Sequence, residues 1–270
     1  MSNISVIGAA GRMGKAIIRC LQTGVVPDLT LSGAIDIWDC PDLNKDAGVA
    51  SGAAEAGVLI TADLAAVGPS SDVVIDFSYP KGTAGNAPRM AEWGKAWVIG
   101  TTGLSDDELG AVRAAAEKIP IVMAPNMSLG VNLLFQLVED AARALKDRGY
   151  DVEIVERHHR RKKDAPSGTA LGLGRAVARG MDLDLDQVAR HGRAGLEKEE
   201  RPATQVGFHA VRAGDFVGDH TVMFATDGES VELSHRATSR DTFAIGALRA
   251  AAWVHGQAPG LYSMRDVLGL

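Results

Sequence analysis

Cysteine is almost absent from this sequence: there are two in 270 residues, Cys20 and Cys40. They fall in segments that read as a helix and a loop, with no CxxC pair and no histidine-rich spacing, which argues against a disulfide framework or a cysteine metal cage. A reducing, cytoplasmic setting is therefore expected. Long apolar runs are missing too, and none approaches the ~20 residues that cross a bilayer. The start has no charged stretch leading into an apolar one, so no export leader is expected. Nor is there an excess of basic charge: 28 Lys and Arg against 34 Asp and Glu give a net charge of −6. That balance argues against a dedicated nucleic-acid binder, because such proteins carry a basic field that displaces counterions from phosphates. Aromatic residues are few, at 5%. Glycine is plentiful, with 31 residues, and the apolar share is 46%. This is the composition of an α/β enzyme, long enough for one large or two modest domains.

Short apolar strands open the chain and alternate with helical stretches. Ile4–Ile7 reads as a buried strand, Gly8 to Gly14 as a turn and Lys15–Leu21 as a helix. Strands follow at 29–35, 72–77, 96–99 and 121–124, with a helix around 106–118. This alternation predicts βαβ units and a parallel, Rossmann-like sheet. Beyond Asn132 the pattern changes. A helix over 133–145 gives way to strands at 152–155, 205–211, 220–224 and 230–235, separated mainly by turn residues. They predict a second, α+β domain with a mixed sheet. The last helix, 242–254, is apolar on much of its surface and is expected to return to the first domain. Residues 48–57 and 182–200 read as loops.

Gly8-Ala9-Ala10-Gly11-Arg12-Met13-Gly14 has the spacing GxxGxxG. It is a variant of the dinucleotide-binding turn, which delivers a pyrophosphate to backbone N–H groups at a helix N-terminus. Arg12 can add a cationic contact. Asp36 ends the next strand, about 20 residues on, where an acidic side chain accepts hydrogen bonds from ribose hydroxyls. The glycines alone would also suit a tight crossover with no ligand. Ile37 follows Asp36 where an arginine would serve a 2′-phosphate, so NADH is favoured over NADPH. Two further loops, Gly100-Thr101-Thr102-Gly103 and Ala124-Pro125-Asn126-Met127-Ser128, follow strands at the edge where open α/β sheets bind ligands. They are candidates to border the nicotinamide, although such residues are also ordinary turn formers.

Glu156-Arg157-His158-His159-Arg160-Arg161-Lys162 follows a strand and runs on to Ser167-Gly168-Thr169-Ala170, where Ser167 or Thr169 can cap a helix over 170–179. Free N–H groups near Ser167, Gly168 and Thr169 suit a substrate carboxylate. His158 exchanges a proton near neutral pH, and Lys162 can donate one or act as a fixed charge. The competing reading is a solvated cationic loop or a nucleic-acid patch. Zinc is not expected, because adjacent side chains on an extended segment point opposite ways. The remaining histidines, at 191, 209, 220, 235 and 255, are scattered and read as structural or surface residues.

With these segments in view, the chain resembles the 4-hydroxy-tetrahydrodipicolinate reductases over essentially its whole length. The resemblance rests on Val6 to Gly14, Gly100 to Gly103, Ala124 to Asn126, His158-His159-Arg160 with Lys162, and above all Asp164-Ala165-Pro166-Ser167-Gly168-Thr169-Ala170. Arg212 to His220 and Ser239 to Ala244 add weaker support. The family implies a nicotinamide-binding domain, here 1–127 with 240–270, and a substrate-binding and oligomerisation domain, 128–239, that builds a homotetramer. It implies hydride transfer from NADH or NADPH to a cyclic dicarboxylate, with loss of water, on the route to diaminopimelate and lysine. With the cofactor in one domain and the substrate in the other, domain closure is expected to bring hydride and substrate together. It also implies roles: His158 as acid/base, Lys162 as proton donor, and His159, Gly168 and Thr169 as substrate contacts. Gly8, Ala9, Ala10, Gly11, Arg12, Met13, Asp36, Gly100, Thr101, Thr102, Ala124, Pro125, Asn126 and Met127 would be cofactor contacts. Three positions depart from the family pattern: Met127 stands where phenylalanine is common, Arg161 where some members have histidine, and Ile37 where dual-specificity members can have arginine.

Overall fold

A computed structural model describes residues 1–270. The chain forms two compact units, Met1–Leu129 with Arg240–Leu270, and Gly130–Ser239. The first run comprises β1 (Ser2–Ile7), α1 (Arg12–Gln22), β2 (Leu29–Ile35), α2 (Ala47–Ser51), β3 (Ile60–Thr61), α3 (Leu64–Val67), β4 (Val73–Asp76), α4 (Pro80–Trp93), β5 (Ala96–Ile99), α5 (Asp106–Ala116) and β6 (Pro120–Met123). The second unit holds α6 (Leu129–Leu145), whose first residue belongs to unit one, then β7 (Asp151–His158), α7 (Gly168–Met181), α8 (Leu185–Val188), β8 (Ala189–His191), β9 (Val206–Arg212), β10 (Gly218–Thr226) and β11 (Glu229–Ala237). The chain then returns to the first unit with α9 (Asp241–Val254), β12 (Gly260–Tyr262) and α10 (Met264–Leu268).

In the first unit the strands form one parallel sheet in the order β12-β6-β5-β4-β1-β2-β3. Every residue of β4 and β5 is buried, as expected of strands covered on both faces. One face packs Ile4, Val6, Ile75 and Val98 against Ile17 of α1 and Leu248 of α9. The other packs Val74, Trp97 and Ile99 against Met90 of α4 and Val112 of α5. Each fully buried side chain of this size contributes about 1.5–3 kcal/mol of transfer free energy. The strand order reverses at β1, which lies between β4 and β2, so the turns after these strands open at the switch point where such sheets bind ligands.

The second unit is a mixed sheet, β11-β10-β7-β9-β8, with β7–β9 and β8–β9 parallel and the other pairs antiparallel. Its core packs Ile154, Phe208, Val222 and Phe224 against Leu134 and Val138 of α6 and Leu173 and Val177 of α7. No helix of either unit is long and apolar enough to cross a membrane.

Three local expectations need correction. Residues 48–57 are not wholly loop: α2 occupies 47–51, capped by Asp46, which accepts the Val49 N–H at 3.0 Å, and closed by Gly52 in the left-handed region at φ 83°. Residues 182–200 contain α8 and β8. Both stretches are too short to display a helical or strand period. Helix α6 starts at Leu129, four residues before the predicted 133. Helix α4 has no counterpart among the expected elements: it carries Pro88, Gly82 and Gly85 and is held by tertiary packing despite low helix propensity.

Candidate functional site

In the first unit the glycine turn joins β1 to α1. Gly8 has φ +79°, and a β-carbon there would lie 2.6 Å from the Phe77 carbonyl oxygen, so only glycine fits. A β-carbon at Gly14 would lie 2.1 Å from the Gly8 carbonyl oxygen, which fixes how closely α1 approaches the turn. Gly11 caps α1 with no side-chain hydrogen bond, and the first turn holds no acidic residue. The N–H groups at this helix start are thus available to an anion, and the helix dipole favours one. These features fit the pyrophosphate of a dinucleotide.

Asp36, just beyond β2, accepts the Ala10 N–H at 2.7 Å and the Ile37 N–H at 2.8 Å, one on each oxygen. Gly8, Gly11 and Asp36 line a cavity of about 540 Å³, together with Trp38, Asp63, Tyr79 and Arg89. Gly100–Thr102 and Ala124–Met127 follow β5 and β6, at the same C-terminal edge of the parallel sheet. Their side chains divide. Thr101 is buried and donates to Asp76 Oδ1 at 3.3 Å while accepting from Thr83 Oγ1 at 3.0 Å. Met127 is packed into the apolar core, so its side chain is structural and only its backbone remains for a ligand. Asn126 Oδ1 accepts the Ser128 N–H at 2.9 Å and shapes its own loop. Asp76 was not anticipated. Burial pushes its carboxyl above the usual carboxylate range, against hydrogen bonds from Ser78. The one clue in sequence was an acidic residue ending the run Val73-Val74-Ile75.

In the second unit β7 alternates, placing Val152, Ile154, Glu156 and His158 on its buried face. Two polar residues thus continue an apolar row. Glu156 Oε2 lies 2.5 Å from His158 Nδ1 and 2.8 Å from Arg212 Nη1; Oε1 accepts from Arg212 Nη2 at 2.7 Å and from the Ser167 N–H at 3.0 Å. Burial would raise this carboxyl, but the hydrogen bonds from His158 and Arg212 outweigh it and hold it near a pKa of about 2. Ser167 caps α7, its Oγ accepting the Ala170 N–H at 3.1 Å. That hydroxyl also lies 3.1 Å from His220 Nε2, and the His220 ring meets His158 edge-on with centroids 5.1 Å apart. Burial, then the neighbouring His158, lowers His220 to about 3. His220 is therefore part of this cluster and not an isolated structural histidine. Lys162 Nζ pairs with Asp164 Oδ2 at 2.8 Å. The His159 N–H donates to the Phe216 carbonyl at 2.8 Å. Gly168 and Thr169 open α7, and nothing lies within 4 Å of a β-carbon built on Gly168.

Arg212 and His220 were missed as site residues because strand register brings them in: His158 pairs with Arg212 and Glu156 with His220. Their only signal in sequence was membership of the stretch 212–220.

A nucleotide-type parallel sheet and a separate α+β unit bearing an imidazole beside a helix N-terminus define a two-unit oxidoreductase. Family models described as dihydrodipicolinate reductase, N-terminus and C-terminus, match residues 2–127 and 130–268. The chain belongs to this family. It is 49% identical over 270 residues to a 4-hydroxy-tetrahydrodipicolinate reductase of Chromohalobacter salexigens, covering 100% of this chain and 99% of that one. It is 51% identical over 267 residues to the enzyme so named from Thiobacillus denitrificans, covering 99% and 98%. Among solved structures, a dipicolinate-bound dihydrodipicolinate reductase from a Paenisporosarcina species superposes with a TM-score of 0.76 at 23% identity, over 98% of each chain, a likeness of fold. The chain is thus a reductase of the diaminopimelate route to lysine.

Proposed function

We propose that the first unit holds the nicotinamide cofactor and the second holds and protonates the substrate in the reduction of 4-hydroxy-tetrahydrodipicolinate to tetrahydrodipicolinate, with loss of water. The carrying observation is the cluster in which one carboxylate, Glu156, joins His158 to the cap of α7. Gly8 to Met13 and Asp36 would receive the dinucleotide's pyrophosphate and ribose, with Gly100–Thr102 and the backbone of Ala124–Met127 alongside the nicotinamide. A bound reduced nicotinamide supplies the hydride. His158, as acid/base, and Lys162, as proton donor, then supply the proton that the reduced substrate takes up. Lys162, His159 and the N–H groups of Ser167, Gly168 and Thr169 hold the two carboxylates. The dipicolinate bound by the Paenisporosarcina enzyme is itself a cyclic dicarboxylate, which supports this substrate class.

NADH is the favoured cofactor in this reading. The residues lining the cavity beside Asp36 include two carboxylates, Asp36 and Asp63, against one cation, Arg89, a poor balance for the extra charge of a 2′-phosphate. We also propose a homotetramer in the cytoplasm. Two buried free thiols, Cys20 and Cys40, fit a reducing compartment, and light scattering on the purified protein tests the tetramer.

The test of the catalytic assignment is a coupled assay with freshly generated substrate, following NADH and NADPH oxidation side by side. Each well-placed proton transfer contributes about 10²–10⁴ in rate, so His158→Ala and Lys162→Ala should lose turnover by that order while binding NADH normally. Near-normal turnover in both variants refutes the assignment.

A further inference from the structure

We propose that Glu156 is the positioning residue of this site: it holds a proton on His158 Nδ1 and so leaves Nε2 as the nitrogen that exchanges a proton with the substrate. The inference rests on the reading of His158 as acid/base and adds the group that sets its tautomer and orientation.

The geometry carries it. A carboxylate has about four acceptor positions, and all four are used here: His158 Nδ1 and Arg212 Nη1 on Oε2, Arg212 Nη2 and the Ser167 N–H on Oε1. Two of these four donors come from one guanidinium, which cannot turn away without losing both. The carboxylate is buried, with 1% of its side chain exposed, and an ionised carboxylate can only accept, so the ring atom facing it must carry hydrogen. With Nδ1 protonated in both charge states of the ring, the change of charge falls on Nε2. No protein group hydrogen-bonds to Nε2; the glycine at 218 stands next to it, a β-carbon there lying 3.0 Å away.

The surrounding charges fit this task. An isolated buried carboxylate would bind the imidazolium so strongly that proton release would become difficult. Arg212, from β9, offsets that negative charge through its two-pronged contact. His220, from β10, presents its ring edge to His158 and is held neutral by burial. Lys162 and Asp164 of the following loop form their own ion pair. On the same carboxylate hangs the Ser167 N–H, the cap of the helix whose N-terminus is assigned to the substrate carboxylates. One side chain therefore fixes the imidazole relative to the anion site.

Two measurements test this. In the intact protein labelled with ¹⁵N-histidine, neutral His158 should be the Nδ1–H tautomer; the Nε2–H tautomer overturns the proposal without any variant. In Glu156→Gln, turnover should fall about a hundredfold or more. In the same variant the ¹⁵N spectrum should show that neutral His158 is no longer confined to the Nδ1–H tautomer, because the ring has lost its anionic acceptor, while NADH affinity stays unchanged. An unmoved tautomer with reduced turnover and lowered thermal stability would mean that Glu156 merely supports the fold, and overturns it. Failure of the underlying reading looks different: His158→Ala would then retain turnover whatever the tautomer.

Discussion

Asp36 Oδ2 accepts the backbone N–H of Ala10 at 2.7 Å, so the carboxylate that follows β2 closes the glycine turn that follows β1. The same group is assigned to the ribose hydroxyls. Asp36→Ala should therefore remove an acceptor and loosen the phosphate-binding turn together. Hydrogen bonds to charged groups contribute about 1.5–3 kcal/mol, which corresponds to a rise of about 10- to 100-fold in the dissociation constant for NADH. Titration of NADH fluorescence measures it, with Asp36→Asn expected to fall between wild type and Asp36→Ala. An unchanged dissociation constant for the alanine variant would remove Asp36 from the cofactor site.

Ile37 is half-exposed beside that carboxylate and lines the same cavity. An arginine there would add a cation for a 2′-phosphate, which carries about −1.5 to −2 charge. Ile37→Arg should improve kcat/KM for NADPH relative to NADH by about tenfold, equivalent to about 1.4 kcal/mol of new interaction. Steady-state rates with both cofactors decide the matter, and an unaltered ratio counts against the position of the adenosine.

Much of this molecule could be read from its residues, and the gaps have physical causes. Strands β2 and β5 were placed to the residue because they are short apolar runs bounded by turn formers. Asp36 and the glycine turn were legible because their spacing is local. The partners of Glu156 and His158 were not, since Arg212 reaches the carboxylate and His220 the imidazole only through the parallel β7–β9 and antiparallel β7–β10 registers. Glu156 was partly legible: it is two residues before His158, and side chains two apart on a strand share a face. The helix α4 escaped because its glycines and proline contradict local propensity while Ala87 and Met90 bury its inner face. At Met127 the loop position assigned to the cofactor keeps only its backbone for that role, because its side chain belongs to the core.

Acid should destabilise the second unit through three groups whose sign is set, Glu156, His220 and Glu153. Glu156 is held at about 2, against an ordinary 4.5, so its contribution is complete above pH 4.5 and is lost as the pH falls toward 2. A shift of this size corresponds to stabilisation on the order of 3 kcal/mol. His220, lowered from 6.5 to about 3, favours the folded state above pH 6.5 and loses that contribution as the pH falls toward 3. Calorimetric midpoints should accordingly decline from pH 6.5 downward. His220→Gln should flatten the decline between 6.5 and 4.5, and Glu156→Gln should lessen it below 4.5. The lower slope will not vanish in Glu156→Gln, because Glu153, also held near 2, opposes burial with hydrogen bonds from Arg193, His209 and Arg201 and has the same sign. Parallel curves for wild type and both variants would refute these assignments.

Gly218 opens β10 directly against the imidazole pair: a β-carbon there would lie 3.0 Å from His158 Nε2, 3.5 Å from its Cδ2 and 3.6 Å from His220 Cε1. The His158 ring has little freedom to retreat, because Nδ1 is held 2.5 Å from Glu156. A single methyl at this position must therefore tilt the ring, crowd Nε2 or shift the strand, and overpacking of this kind costs about 1–3 kcal/mol. Gly218→Ala should lower kcat by about tenfold or more, since misplacing a proton-transfer group forfeits part of its 10²–10⁴ contribution. NADH affinity, a property of the first unit, should not change. Gly110→Ala is the matched control: it lies inside α5, nothing stands within 4 Å of its added β-carbon, and replacing a helical glycine by alanine stabilises by about 0.5–1 kcal/mol. Full turnover in Gly218→Ala would show that the ring has room to move, and that Nε2 is not confined on the side facing β10.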